Sequence, residues 1–174
     1  MLVVQLFYLL SPKKLYWNNP QKLYTTVIYC DASKNLGGLY IDSINEQASI
    51  MFRLPEELVN LHIFQKELVM FFVALVEATM DTVIITDSHA IFDSAQRYRL
   101  TSSALPHIAQ ACNIILWTKN PEIRWVASQD NKADAPSRGA NYSYVLNFSV
   151  NNISSALQTA FEFANSINRS AEED

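Results

Sequence analysis

The segment Thr25-Thr-Val-Ile-Tyr-Cys-Asp31 is the most informative part of the sequence about the fold. Its β-branched and aromatic residues predict a buried strand over 25–30 that ends at an aspartate. A second run of the same kind, Thr82-Val-Ile-Ile-Thr-Asp87, also ends at an aspartate. Ligand sites in α/β sheets lie at the carboxyl ends of strands, so both carboxylates are candidate functional groups. Each aspartate could instead simply cap the turn or helix that follows it.

The segments around these two strands predict a mixed α/β domain. The runs Leu39–Ile41 and Ala48–Phe52 predict two strands joined by a hairpin loop, which form an antiparallel meander with the first strand. The pair Gly37-Gly38 predicts a turn before them. Helical spacing of apolar residues and helix-start residues predict helices over 55–79, 88–99, 105–117 and 153–167, and 122–126 is predicted to be the last strand.

The composition is that of one folded domain with a real core. The chain has 174 residues, of which 49% are hydrophobic and 11% aromatic, and this excludes a disordered chain. Its net charge of −4 provides no overall basic field, so nucleic-acid binding would depend on a local basic stripe. The apolar start Met1–Leu10 is too short to span a bilayer and lacks a basic leader, so we expect an intracellular protein without a membrane anchor. Cys30 and Cys112 are expected to be reduced core thiols.

Glu67 is a charged residue on the apolar face of the long predicted helix. It lies three residues after Phe64 and four before Phe71, where a charge is costly unless something pairs with it. Together with Asp31 and Asp87 it would form a cluster of like charges, which is stable only with bound cations or protonated carboxylates. Oxygen ligands with no nearby His or Cys pattern favour Mg²⁺ or Mn²⁺ over zinc.

Four motifs occur in a fixed order: Cys30-Asp-Ala-Ser33, Glu67 in a long apolar helix, Ile85-Thr-Asp-Ser88, and Asn131-Lys-Ala-Asp-Ala-Pro-Ser-Arg-Gly139. Together they resemble the ribonuclease H domain that follows reverse transcriptase in retroelements and reverse-transcribing viruses. The last motif is most similar to the version in DIRS/Ngaro-type retrotransposons and hepadnavirus polymerases. The resemblance covers 25–139. Residues 1–24 are predicted to be a lead-in segment packed on this domain, and 140–174 a C-terminal helix and acidic tail of the same domain.

The resemblance implies a ribonuclease-H-like fold and a two-metal site. The implied sheet has five strands in the order 3-2-1-4-5 with flanking helices. Asp31 would bridge two Mg²⁺ (or Mn²⁺) ions, Glu67 and Asp87 would hold one of them, and Asp134 the other. Asp134 is preferred to Asp130 because it is the acid of the family motif, whereas Asp130 lies in what is predicted to be an exposed turn.

The activity that the resemblance implies is endonucleolytic hydrolysis of the RNA strand of RNA–DNA hybrids, as part of a reverse-transcribing element. Cationic residues in the motif loops and around the second helix are the candidate nucleic-acid contacts: Lys34, Arg97, Arg99, Lys132 and Arg138. Because the chain is acidic overall, we expect an adjacent reverse-transcriptase domain to supply part of the binding.

Two other functions also fit the sequence. The first is a non-catalytic ribonuclease-H-like scaffolding or nucleic-acid-binding module, because the loop Ala127–Asn131 lacks the His that many ribonucleases H carry there. The second is a related nuclease of the same fold, integrase-like or junction-cleaving, although such enzymes generally pair their acids differently. The three histidines, His62, His89 and His107, are expected to be ordinary helix residues rather than ligands.

Overall fold

A six-stranded mixed sheet organises residues 24–148, the part of the chain that the computed structural model describes. The strands are β1 Thr26–Ala32, β2 Leu36–Ser43, β3 Gln47–Arg53, β4 Thr82–Thr86, β5 Glu122–Trp125 and β6 Tyr144–Asn147. Their order in the sheet is β5-β4-β1-β2-β3-β6. As predicted, β1, β2 and β3 form an antiparallel meander. β4 runs parallel to β1 and β5 parallel to β4, so these three strands end on the same edge.

The sheet differs from the predicted five-stranded order 3-2-1-4-5 by one strand: the five predicted strands are neighbours in that order, and a sixth, β6, lies outside the third. β6 pairs in parallel with β3 and falls in the stretch predicted to be a C-terminal helix and tail. Its four residues are all exposed, so the strand is held by main-chain bonds rather than by a buried face. The lead-in segment predicted for 1–24, apart from Tyr24, and the helix predicted for 153–167 lie outside the described residues.

Five α-helices accompany the sheet in residues 24–148: α1 Glu56–Val59, α2 Ile63–Glu77, α3 His89–Gln96, α4 Pro106–Lys119 and α5 Asp134–Ser137; a short 3₁₀ helix, Ser128–Asp130, precedes α5. The single helix predicted for 55–79 is thus two helices. The break occurs because His62 caps α2, with its Nδ1 accepting a hydrogen bond from the Phe64 main-chain N–H at 3.2 Å. Among the described residues, no helix combines the length and the apolar character needed to cross a membrane.

The core lies between the sheet and α2, which packs against β1, β2, β4 and α4. Its largest fully buried side chains include Leu68, Phe71, Phe72, Leu75, Ile84 and Leu116. Lys66 is buried within this layer, and its Nζ donates to the carbonyl oxygens of Lys34 at 2.7 Å and Val59 at 3.1 Å. The buried ammonium group therefore has partners and ties α2 to the loop that follows β1.

The pair Gly37-Gly38 lies inside β2 and does not form the predicted turn. Neighbouring residues of a strand face opposite sides of the sheet. A Cβ on Gly37 would overlap Met70 Sδ on one face, and a Cβ on Gly38 would lie 2.5 Å from both Ala133 O and Ser137 N on the other. The two glycines are needed for close approach, and Gly38 in particular lets α5 lie against the sheet.

We therefore expect Gly38→Ala to destabilise the protein by about 2–3 kcal/mol, because the new methyl group meets main-chain atoms that can move only if α5 shifts. The measurement is urea unfolding followed by circular dichroism. Gly37→Ala is the matched control, since its methyl group meets a flexible Met side chain, and it should cost less. An equal loss in the two variants would contradict close packing of α5 as the cause.

Candidate metal centre

Three carboxylates meet where β1 and β4 end. Asp31 is the second-last residue of β1, Asp87 directly follows β4, and Glu67 lies on α2, which packs against both strands. One oxygen of each carboxylate lies within 4.8 Å of an oxygen of the other two. The parallel pairing of β1 with β4 brings the two aspartates to one edge, and the buried face of α2 directs Glu67 toward them. The group could hold a metal ion.

Asp134, the fourth predicted ligand, lies at the same place but outside the group of three. It is the first residue of α5 and lines the same cavity of about 320 Å³ as the other three acids. Its Oδ1 accepts a hydrogen bond from Arg138 Nε at 2.9 Å, one turn later in the chain. The structure therefore brings all four acids to one cavity, with the fourth held in an ion pair. Asp130, by contrast, is exposed and is not among the residues lining the cavity.

The predicted nucleic-acid contacts do not all lie at this cavity. Lys34 and Arg138 are exposed and line it. Lys132 comes from the same loop as Asp134 but is not part of the lining, and its Nζ lies 5.6 Å from the ring centre of Tyr29 and 5.2 Å from that of Tyr40. The ammonium group thus covers the outer aromatic surface of β1 and β2.

The other two predicted contacts, Arg97 and Arg99, lie at the opposite end of the sheet. They flank Tyr98, whose hydroxyl donates to Asn120 Oδ1 at 3.2 Å. Asn120 closes α4 just before β5 begins, and β5 runs parallel to β4. A residue at the start of β5 is therefore a full strand length away from the acids. Both arginines are exposed, and a role for them in nucleic-acid contact remains a prediction.

Ser137 is a site residue to which the sequence alone assigns no role. It is fully buried, and its Oγ donates a 2.7 Å hydrogen bond to Asp31 Oδ2. The same Oγ lies 2.8 Å from the main-chain carbonyl oxygen of Asp134. One hydroxyl thus joins the carboxylate of the first acid to the backbone of the fourth. The only signal is its place in the quoted motif, because a serine in a polar loop gives no sign of burial.

Asn131 is the second residue without a predicted role. Its side chain is buried, with Nδ2 donating to Cys30 O at 3.0 Å and Oδ1 accepting from the Ala133 main-chain N–H at 3.1 Å. Cys30 directly precedes Asp31, and Ala133 directly precedes Asp134. The amide therefore fixes the loop before α5 to β1 next to the site.

Burial and like charge set the electrostatics of the cluster. Burial raises the pKa of Asp31 to about 6; the Ser137 hydrogen bond opposes this shift and the charge of Asp87 adds to it. Burial also raises the pKa of Glu67, again with a contribution from Asp87. A divalent cation such as Mg²⁺ or Mn²⁺ would relieve the repulsion between the carboxylates, and these ions prefer oxygen ligands. No His or Cys belongs to the group of three acids.

These shifts predict that the metal-free protein loses stability as pH rises. Between about pH 4 and pH 6 the folded protein keeps a proton on Asp31 that the unfolded chain has released, so stability falls with pH across this window. The loss attributable to this group is on the order of 2–3 kcal/mol. We expect it in urea unfolding with a chelator present, and added Mg²⁺ should raise the melting temperature at neutral pH.

Two aspartate variants check the source of this pH dependence. Asp31→Asn should flatten the stability profile across the same window and remove most of the gain from Mg²⁺. Asp130→Asn, at an exposed acid outside the cavity, should behave like the unmodified protein. A melting temperature that does not respond to Mg²⁺ would weigh against a metal site here.

Ser137→Ala should destabilise the protein by about 1–3 kcal/mol at neutral pH, because a buried carboxylate loses its side-chain hydrogen-bond donor. The cost should be smaller below pH 5, where Asp31 is protonated and the bond is no longer charge-assisted. Urea unfolding at the two pH values measures this, with Ser128→Ala, at an exposed serine of the same cavity, as the control. The same loss at both pH values would show that Ser137 acts through packing alone.

Comparisons with known proteins do not assign this chain to a family. No protein-family model matches the chain, and no curated protein matches it. What the site can do is therefore inferred from its own residues: a group of three acids at a strand edge, a fourth acid at the start of α5, and two cations on the rim of the same cavity.

Proposed function

We propose that this domain hydrolyses phosphodiester bonds, and that its substrate is the RNA strand of an RNA–DNA hybrid, as in a ribonuclease H. The observation that carries the proposal is the convergence of Asp31, Glu67 and Asp87 within 4.8 Å, in one cavity with Asp134. The order of the four motifs along the chain supports the same conclusion. Each motif acid contributes to this single cavity although more than 100 residues separate the first from the last.

The chain's own residues divide into two roles in this proposal. The three clustered acids would hold one divalent ion, and Asp134 with the Asp31 carboxylate a second. When bound, such ions activate a water molecule and stabilise the leaving oxygen of an in-line displacement. Lys34 and Arg138 on the rim supply positive charge for the phosphates on either side of the cleaved bond. Ser137 keeps the Asp31 carboxylate oriented toward the cavity.

The choice of an RNA–DNA hybrid rests on the family resemblance. Proteins discriminate RNA from DNA mainly through the 2′-hydroxyls and the shape of the minor groove. The net charge of the chain is −4, and within residues 24–148 two cations line the cavity, so the domain by itself should bind weakly and lose affinity steeply as salt rises. An adjacent reverse-transcriptase domain is the partner that the proposal implies.

A second candidate function is a non-catalytic module that keeps the fold and the acids. Two observations favour it. The loop Ala127–Asn131 contains no His to help proton transfer. Asp134 is paired with Arg138 instead of joining the group of three acids. This alternative predicts binding of metal and of the hybrid without hydrolysis, so an activity measurement separates it from the first proposal.

Asp134→Asn is the variant that tests the proposal most directly. The change keeps the shape of the side chain but removes the charge that a second ion requires, so the rate of hybrid cleavage should fall by about 10²-fold or more. The fold should survive, because the loss of one negative charge reduces repulsion in the cavity. The measurement is the cleavage rate of an end-labelled RNA–DNA hybrid in Mg²⁺ or Mn²⁺.

The matched control is Asp130→Asn, four residues earlier in the chain, which should cleave at nearly the unmodified rate. A reversed ranking of the two variants would mean that the fourth ligand has been misassigned. Duplex DNA of the same sequence is the second substrate. Equal cleavage of hybrid and DNA would point to an integrase-like nuclease, and no cleavage of either by the unmodified protein would favour the non-catalytic module.

A further inference from the structure

Two exposed aromatic rings are stacked beside the acidic cavity. His89 is the first residue of α3 and Trp125 the last residue of β5. Their ring centres lie 4.1 Å apart, with 18° between the ring planes. Both side chains are exposed, and 39% of Trp125 remains accessible. We call this pair the aromatic platform.

A hydrogen bond fixes the platform to the site. Trp125 Nε1 donates to the main-chain carbonyl oxygen of Asp87 at 2.9 Å. The pairing of β4 with β5 places Trp125 opposite Thr86, the residue before Asp87. The indole N–H is the only polar group of this side chain, and it is used within the protein. What the platform presents to solvent is therefore ring surface, held next to one of the clustered acids.

The second aromatic pair with an exposed Trp has a different geometry. Tyr98 and Trp117 meet edge to face, with 5.3 Å between ring centres and 82° between planes, at the end of the sheet far from the acids. Trp117 is also 39% accessible. A further flat ring can be added to a parallel stack along the same axis, whereas in the edge-to-face pair the edge of one ring already meets the face of the other. Of these two pairs, the first is the one that lies next to an acid of the cavity.

We propose that the aromatic platform binds a nucleotide next to the phosphodiester bond on which the acids act. The outer face of His89 stacks on an unpaired base or packs against the sugar ring of a paired nucleotide. This contact tolerates any sequence, because every nucleotide offers such a face. The inference rests on the proposed function in that it takes the ligand to be nucleic acid, and it assigns to His89 and Trp125 substrate positioning rather than proton transfer.

The test is a binding titration of the full chain in Ca²⁺, with two fluorescent probes: a blunt RNA–DNA hybrid and the same hybrid with an unpaired extension. His89→Ala should raise Kd about tenfold, whereas His89→Phe, which keeps a ring, should bind about as tightly as the unmodified protein. If His89→Ala loses affinity only for the extended probe, the group bound by the platform is a base. If it loses affinity for both probes, the group is a sugar. Thermal melting of each variant should be unchanged.

His107→Ala is the control, since His107 is likewise an exposed histidine in the first turn of a helix. Three results would overturn the proposal: unchanged affinity in His89→Ala, an equal loss of affinity in His89→Phe, or no binding of either probe by the unmodified protein. Cleavage is measured separately in Mg²⁺. If His89→Ala does not change the cleavage rate, the nuclease proposal is retained and the role of the platform in cleavage is rejected. If binding depends on the platform but no cleavage occurs, the platform proposal is retained and the nuclease proposal is rejected.

Discussion

The 2.7 Å hydrogen bond between Ser137 Oγ and Asp31 Oδ2 joins the middle of the sheet to the last part of the site. Asp31 lies in β1, which has β2 on one side and β4 on the other, so the whole sheet determines where its carboxylate stands. Burial and the charge of Asp87 disfavour its ionised form, and the hydroxyl offsets part of that cost. Because α5 supplies both Ser137 and Asp134, this bond also sets the position of the fourth acid relative to the first.

Close packing is what makes this bond geometrically feasible. α5 can approach β2 only because Gly38 has no side chain, and the buried Asn131 amide holds the preceding loop against β1. On the other face of the sheet, Gly37 leaves room for Met70 of α2, the helix that carries Glu67. Adjacent glycines thus allow elements bearing acids to approach from both sides. Gly37, Gly38 and Asn131 thus help to bring the carboxylates of the cavity together, although none of the three is a candidate metal ligand.

The amino-acid sequence predicts correctly those features whose burial requires a recognisable pattern of apolar residues. The strands before Asp31 and Asp87 are continuous apolar runs, and Glu67 interrupts an apolar helix face, so the sequence alone groups these three acids. β6 leaves no such mark, because its residues are all exposed and its pairing uses only the backbone. The turn wrongly predicted at Gly37-Gly38 has a related cause. The reason for these glycines includes close approach by an element some 95 residues later in the chain, which local sequence cannot reveal.

The balance of charge in the cavity sets a condition on any phosphate ligand. In the described part of the chain, four acids line it, against the two cations Lys34 and Arg138. A phosphodiester adds further negative charge, so with its acids ionised and no cation bound the cavity repels it. With divalent cations bound the sign of this interaction is reversed. By linkage, a nucleic acid that binds there would raise the affinity for the cations by the same factor by which the cations raise its own affinity. Such cooperativity would follow from the charges of the cavity, and it would be the same for a nuclease and for a module that only binds.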